Sequence, residues 1–186
     1  QADIVAEFCE RGGGALMRLR GATRGESACG AVPAAQLLAP AVTTGSGLAA
    51  SYFNNTTLSG TAVLARTEAV NFNWGTAAPG TGVNANNFSA RWSGTLLAPS
   101  SGSYRFQTVS DDGVRVWVNG VQLVNNWSDH SATTNTSGAI SLSASQRYTI
   151  RVEYYEKTGS AVMQLRWLRP GTSSYVAIPA ASLFAN

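Results

Sequence analysis

Val114, Val116 and Val118 alternate with Arg115 and Trp117, the period of two that sends apolar side chains to one face of a β-strand and the rest to the other. The same period recurs where Tyr148, Ile150, Val152 and Tyr154 alternate with Thr149, Arg151 and Glu153. One face of that strand packs, and the other meets solvent or a second layer. Short alternating runs between turn signals predict strands over 61–64, 88–97, 104–109, 114–118, 139–142, 148–155, 161–168 and 175–178. Asn119-Gly120 is the pair preferred in a type I′ turn and predicts a hairpin from 114–118 into 121–124. No long helical period interrupts these runs, and no glycine-rich phosphate loop follows a strand. The spacing is that of an all-β domain.

Asp111-Asp112-Gly113 stands where a loop gives way to the strand at 114–118. Neighbouring side chains of a regular strand point to opposite faces, so the two carboxylates converge on one ligand only if the backbone between them is unusual. Gly113 tolerates dihedrals that other residues avoid. Two readings follow. The pair holds a hard cation such as Ca²⁺, which takes carboxylate, carbonyl and water oxygens, or it caps backbone amides in a tight turn.

Other chemistries find little support. His130 is the single histidine, which excludes multi-histidine zinc sites. A serine hydrolase would have to use it, yet no Gly-x-Ser-x-Gly elbow is present. Glycoside hydrolysis needs two acids about 5–9.5 Å apart, and adjacent Asp111 and Asp112 are poorly placed to flank a sugar. Asp129, Glu153 and Glu156 are the acids left to partner them. In the loop after the hairpin, Trp127 either stacks on a sugar or anchors the loop beside a hydrogen-bonded Asp129, and His130 is a candidate for reaching a ligand. Trp92, Trp117, Tyr154 and Trp167 are expected in the core.

Composition narrows the class. Of 186 residues, 44% are apolar and 12% charged, with 19 glycines, a profile closer to turn-rich extracellular β-proteins than to cytosolic enzymes. The net charge of +3 comes from arginines spread singly, which argues against nucleic acid. No apolar run approaches the roughly 20 residues that cross a bilayer. Residues 1–46 differ from the rest. They contain both cysteines, Cys9 and Cys29, and end in an Ala, Pro, Thr and Gly-rich connector, predicting an N-terminal extension before a domain over 47–186. In a secreted chain two cysteines favour a disulfide. The alternative, a metal or redox pair, has a spacing far from Cys-x-x-Cys and no histidine nearby.

Several longer motifs carry a resemblance. Gly47-Leu48-Ala49-Ala50-Ser51-Tyr52-Phe53, Val70-Asn71-Phe72-Asn73-Trp74-Gly75, Asn87-Phe88-Ser89-Ala90-Arg91-Trp92-Ser93-Gly94, Ser110-Asp111-Asp112-Gly113, Asn126-Trp127-Ser128-Asp129-His130 and Ile150-Arg151-Val152-Glu153-Tyr154-Tyr155-Glu156 occur in order. Together they resemble a PA14 domain from about Gly47 to Phe184. The resemblance implies an antiparallel β-sandwich and, in lectin members, carbohydrate binding through a Ca²⁺ held by two aspartates joined by a cis peptide. It also implies a second ligand loop after the long strand. Here that loop is Glu156-Lys157-Thr158-Gly159-Ser160, making Glu156, Lys157 and Gly159 candidate ligands beside Asp111 and Asp112, with the Lys157 ammonium free to turn toward a sugar.

The expected function is therefore a Ca²⁺-dependent carbohydrate-binding module of a secreted or cell-surface bacterial protein, with vicinal hydroxyls completing the metal shell. The alternative is a structural or protein-interaction domain of a larger secreted assembly. An enzyme is the least supported of the three.

Overall fold

The computed structural model describes residues 20–21, 30–31 and 44–185. Cys9 and Cys29, and with them the expected disulfide, lie outside the described residues. The chain divides into two compact units, Gln1–Thr43 and Thr44–Asn186. In the first, β1 (Arg20–Gly21) pairs antiparallel with β2 (Gly30–Ala31).

The second unit is built from β3 (Leu48–Phe53), β4 (Leu64–Glu68), β5 (Asn71–Gly75), β6 (Phe88–Leu97), β7 (Gly102–Asp111), β8 (Val114–Val118), β9 (Val121–Asn126), β10 (Thr133–Thr136), β11 (Ile140–Leu142), β12 (Arg147–Glu156), β13 (Ala161–Leu168), β14 (Val176–Ala177) and β15 (Leu183–Phe184). All pairings are antiparallel and make two sheets. One has seven strands in the order β4-β3-β6-β12-β8-β9, with β15 also on β6. The other has six in the order β10-β7-β13-β14, with β11 on β7 and β5 on β13. The expected all-β architecture with two antiparallel sheets is what the described residues of this unit form.

The period of two explains the layers. Val114, Val116 and Val118 are fully buried, as are Phe88, Ala90, Trp92 and Leu96 of β6 and Val152 and Tyr154 of β12. From the other sheet Tyr104 and Phe106 of β7 and Ala161, Met163, Leu165 and Trp167 of β13 join the same core. Stacked and edge-on contacts of Tyr52, Phe72, Trp74, Phe88, Trp92 and Tyr154 fill its middle. A polar knot closes one side, where Glu68 accepts from Tyr52 Oη at 2.6 Å and Trp92 Nε1 at 2.8 Å and pairs with Arg66. The buried indole N–H therefore has a partner.

The hairpin forms where its turn predicts. Asn119 and Gly120 both take positive φ, 51° and 77°, as a type I′ turn requires, and Val118 pairs with Val121. Strands 88–97, 114–118 and 161–168 begin and end as the alternation indicates. The run at 61–64 is displaced: β4 starts only at Leu64, and its apolar content is too low to signal its course. Strand β10, Thr-Thr-Asn-Thr, has no apolar face at all. It is held by pairing with β7, which hydropathy alone does not report.

Two outward positions differ from expectation. Trp117 is not in the core but half-buried on the outer face of the seven-stranded sheet, where Arg151 lies 4.0 Å from its ring centroid. Glu153, on the face expected to meet solvent or a second layer, is buried beneath arginines. Core and surface should respond oppositely to truncation. Leu165→Ala, at 1% exposure, is expected to cost about 2–5 kcal/mol, and Val121→Ala, at 52%, less than about 0.5 kcal/mol. Urea unfolding midpoints check both, and equal shifts would contradict this packing.

Candidate functional site

Two chain segments cross from one sheet to the other at the same end of the sandwich. Asp112-Gly113 carries the chain from β7 to β8, and residues 157–160 carry it from β12 to β13. Strands β8 and β12 are hydrogen-bonded neighbours, with Tyr154 opposite Val114. The register therefore sets the Asp111-Asp112 step beside Glu156. The Asp111–Asp112 peptide is cis, and ligand oxygens of Asp111, Asp112 and Glu156 all lie within 4.8 Å of one another.

Gly113 is needed for this approach. A Cβ there would sit 2.1 Å from Cε1 of Tyr155, whose ring occupies the space and whose amide donates to the Gly113 carbonyl at 3.0 Å. Both Asp112 oxygens receive amides from distant loops, His130 N on Oδ1 and Lys157 N on Oδ2, each at 2.9 Å. The carboxylate does cap backbone amides, but it fastens two loops rather than its own turn. Tyr154 donates to the Asp111 carbonyl and lies 3.3 Å from Glu156 Oε2. Glu156 is fully buried, and its Oε1 has no hydrogen-bond partner.

The electrostatics are unfavourable for three bare carboxylates. Two full charges about 4–5 Å apart at an effective dielectric near 20 repel by roughly 3–4 kcal/mol, comparable to both amide bonds to Asp112 together at about 1.5–3 kcal/mol each. Burial, then the charges of Asp112 and Asp111, push the Glu156 carboxyl up to about 7. Burial and Asp112 likewise raise Asp111. Burial and the nearby carboxylates, Glu156 first, hold the Tyr154 phenol well above its ordinary value. Such a cluster either takes up a proton or holds a cation, and the unpartnered Glu156 oxygen is a free donor for the second choice.

Around the cluster, the remaining expected residues fall on two loops. Lys157 supplies its amide to Asp112, its carbonyl accepts the Asn87 amide at 3.0 Å, and its ammonium pairs with Asp129. Gly159, at φ 112°, donates to Asn86 Oδ1 at 3.1 Å. His130 Nδ1 lies 2.9 Å from the Ser131 carbonyl. Trp127 is half-buried, edge-on to Tyr155 with centroids 4.8 Å apart, and Arg115 lies 3.9 Å from its ring centroid. That is the anchoring alternative for this residue. Asp129 accepts Tyr155 Oη at 2.8 Å; the bond from Lys157, and then this one, hold its carboxyl below the usual range. A hydrogen-bonded Asp129 was expected, but its partners Tyr155 and Lys157 were not, and neither was Asn86, since a link between residues 26 positions apart leaves no local signal.

Metal-free protein should show the repulsion as pH-dependent stability. Glu156 binds a proton in the fold up to about pH 7 and in the unfolded chain only to about 4.5. Between those values the folded state holds more protons, so stability should fall as pH rises. Glu156→Gln should flatten that slope. Denaturant titrations in chelator from pH 4.5 to 7.5 check this, and a wild-type slope that Glu156→Gln leaves unchanged would contradict it.

Comparison with known proteins bears on the fold and the family. The family model for the PA14 domain matches residues 45–180. Over 143 residues the chain is 36% identical to the anti-sigma-I factor RsgI3 of Acetivibrio thermocellus, covering 77% of this chain and 22% of that protein. A solved anti-sigma factor domain-containing protein is similar at 34% identity and a TM-score of 0.71, over 75% of this chain and 48% of that one. The chain thus spans about a fifth and about half of these relatives' lengths. A PA14 sugar-binding domain from an RTX adhesin shares the fold, with a TM-score of 0.63 at 16% identity over 76% of this chain and 99% of its own. The match over residues 45–180, together with the sandwich and its sequence motifs, makes this chain a member of the PA14 domain family.

Proposed function

We propose that the domain is a Ca²⁺-dependent carbohydrate-binding module of a larger bacterial protein, displayed outside the cell. The observation that carries the reading is Glu156, whose buried Oε1 has no hydrogen-bond partner and whose carboxylate offers an oxygen within 4.8 Å of ligand oxygens of Asp111 and Asp112. An all-oxygen, anionic donor set suits a hard cation and suits Zn²⁺ or Cu²⁺ poorly. Bound calcium would supply coordination positions that vicinal sugar hydroxyls can fill. Asp111, Asp112 and Glu156 would hold the ion, with the Lys157 and Gly159 backbone beside them. Asp112 also keeps the His130 and Lys157 loops in place through their amides. Around the opening, the loops that carry His130 and Lys157 would distinguish one sugar from another, with Trp127 anchoring the first of them against Tyr155 and Arg115. The likeness to a sugar-binding PA14 domain supports the reading at the level of the fold.

A second reading also has observations in its favour. Asp112 already satisfies two backbone amides, and relatives at 34–36% identity are named as anti-sigma factor proteins, not lectins. In this reading the domain is a structural or protein-interaction part of a larger assembly, and the carboxylates hold a turn or a structural ion. Both readings describe a binding module rather than an enzyme.

Calorimetry and a glycan array separate them. Asp111→Asn or Glu156→Gln should weaken Ca²⁺ binding at least roughly tenfold, because losing even a residue that only supports a metal ligand costs about 10–100-fold. Array binding should need Ca²⁺, vanish in chelator and fall with Mg²⁺, whose smaller octahedral shell releases water reluctantly. Ca²⁺ binding without any glycan signal would favour the interaction-domain reading. Unchanged Ca²⁺ affinity in both variants would remove the metal site.

A further inference from the structure

The outer face of the seven-stranded sheet carries a second cluster, distinct from the three carboxylates. Register places Arg91, Glu153 and Arg115 in one row across β6, β12 and β8, and Ser93, Arg151 and Trp117 in the next. Glu153, with a side chain 5% exposed, pairs with Arg115 at 2.7 Å, Arg91 at 3.1 Å and Arg151 at 3.7 Å. Three guanidinium groups thus share one carboxylate, leaving two formal positive charges at the surface. The guanidinium-bearing side chains stay open to solvent, at 39%, 31% and 50% exposure for Arg91, Arg115 and Arg151.

The aromatic rings of this face are already engaged. Trp117 has Arg151 at 4.0 Å and Arg115 at 5.6 Å from its centroid, and Trp127 has Arg115 at 3.9 Å. A neutral sugar seeks a bare aromatic face, whereas stacked guanidinium groups offer planar N–H forks that match carboxylates. Three guanidinium groups gathered on the single Glu153 carboxylate leave N–H donors over for the carboxylate of a ligand. Arg115 covers Trp127, which packs on Tyr155, which donates to Asp129. The cluster is therefore continuous with the loop that borders the carboxylate site.

We propose that Arg91, Arg115 and Arg151 form a metal-independent subsite for the carboxylates of a uronic-acid-containing glycan. The choice of a glycan over an acidic peptide rests on the carbohydrate-binding reading given above; the preference for carboxylates rests on the arginines alone. Glu153 acts as the positioning group, keeping three like charges together and holding their planes at the surface.

Hyaluronan oligosaccharides, their carboxyl-reduced counterparts and poly-glutamate are the probes, titrated against the domain by calorimetry in chelator and again with Ca²⁺. Wild type should bind the acidic oligosaccharide in chelator, more weakly as salt rises, and the carboxyl-reduced form at least about tenfold more weakly. Arg151→Gln and Arg115→Gln should each lose about tenfold for the acidic form. Arg151→Lys should recover only part, since it keeps the charge without the fork. Circular dichroism identifies any variant that fails to fold, and Arg151, half-exposed, keeps the test available if Arg115→Gln disturbs Trp127. Equal binding of acidic and carboxyl-reduced forms, or unchanged affinity in folded Arg151→Gln, would overturn the subsite. Poly-glutamate bound as tightly as the oligosaccharide would overturn the glycan assignment and make the face a site for acidic peptides. Loss of Ca²⁺-dependent array binding with carboxylate binding intact would sink the metal-site reading alone.

Discussion

Three carboxylates brought within 4.8 Å of one another at one end of a sandwich are the constraint around which this domain is arranged. Their repulsion is of the same order as the hydrogen bonds that hold them. The surroundings must therefore either supply positive charge or keep a proton. Two amides converge on Asp112, one from each flanking loop, and Tyr154 bridges Asp111 and Glu156. No side chain takes Glu156 Oε1. An arrangement that meets every demand of Asp112 and leaves one buried oxygen of Glu156 open is the physical basis for reading a cation site here.

The sandwich makes the convergence possible because both crossovers fall at one end. β8 and β12 lie side by side in the seven-stranded sheet, while their partners in the chain, β7 and β13, lie side by side in the other. Each crossover is thus held at both ends by paired strands. Tyr155 then packs where a Cβ on Gly113 would stand and extends the order outward through Asp129 and Lys157. The same residue touches Trp127, so the interior of the site and the surface loop are parts of one packed unit.

Much of this was legible in the residues, and the part that was not has identifiable reasons. The period of two located β6, β8 and β13, and Asn119-Gly120 located the hairpin, because burial of one face and a turn requiring positive φ are local demands. Strand β10 escaped because its pairing with β7 leaves no apolar trace. Trp117 was misplaced since a large ring suggests burial, yet its β8 neighbours show that it alternates with the core valines and meets Arg151 instead. The alternation left the Glu153 face open to solvent or a second layer, and the three arginines from β6, β8 and β12 that bury it leave no pattern in the strand itself. The aspartate pair stood out at once, but its third carboxylate, Glu156, came from resemblance to a family, since the 44-residue gap in sequence carries no pattern.

The chain spans only part of its relatives' lengths, so the proposed cation site is tested on the domain itself. The most direct measurement is an anomalous diffraction map from crystals grown with Ca²⁺. The account predicts a peak about 2.3–2.6 Å from oxygens of Asp111, Asp112 and Glu156, with Asp112 still accepting the His130 and Lys157 amides. A map without a peak there, at calcium concentrations that saturate ordinary extracellular sites, would contradict it and leave the three carboxylates as a proton-sharing structural cluster.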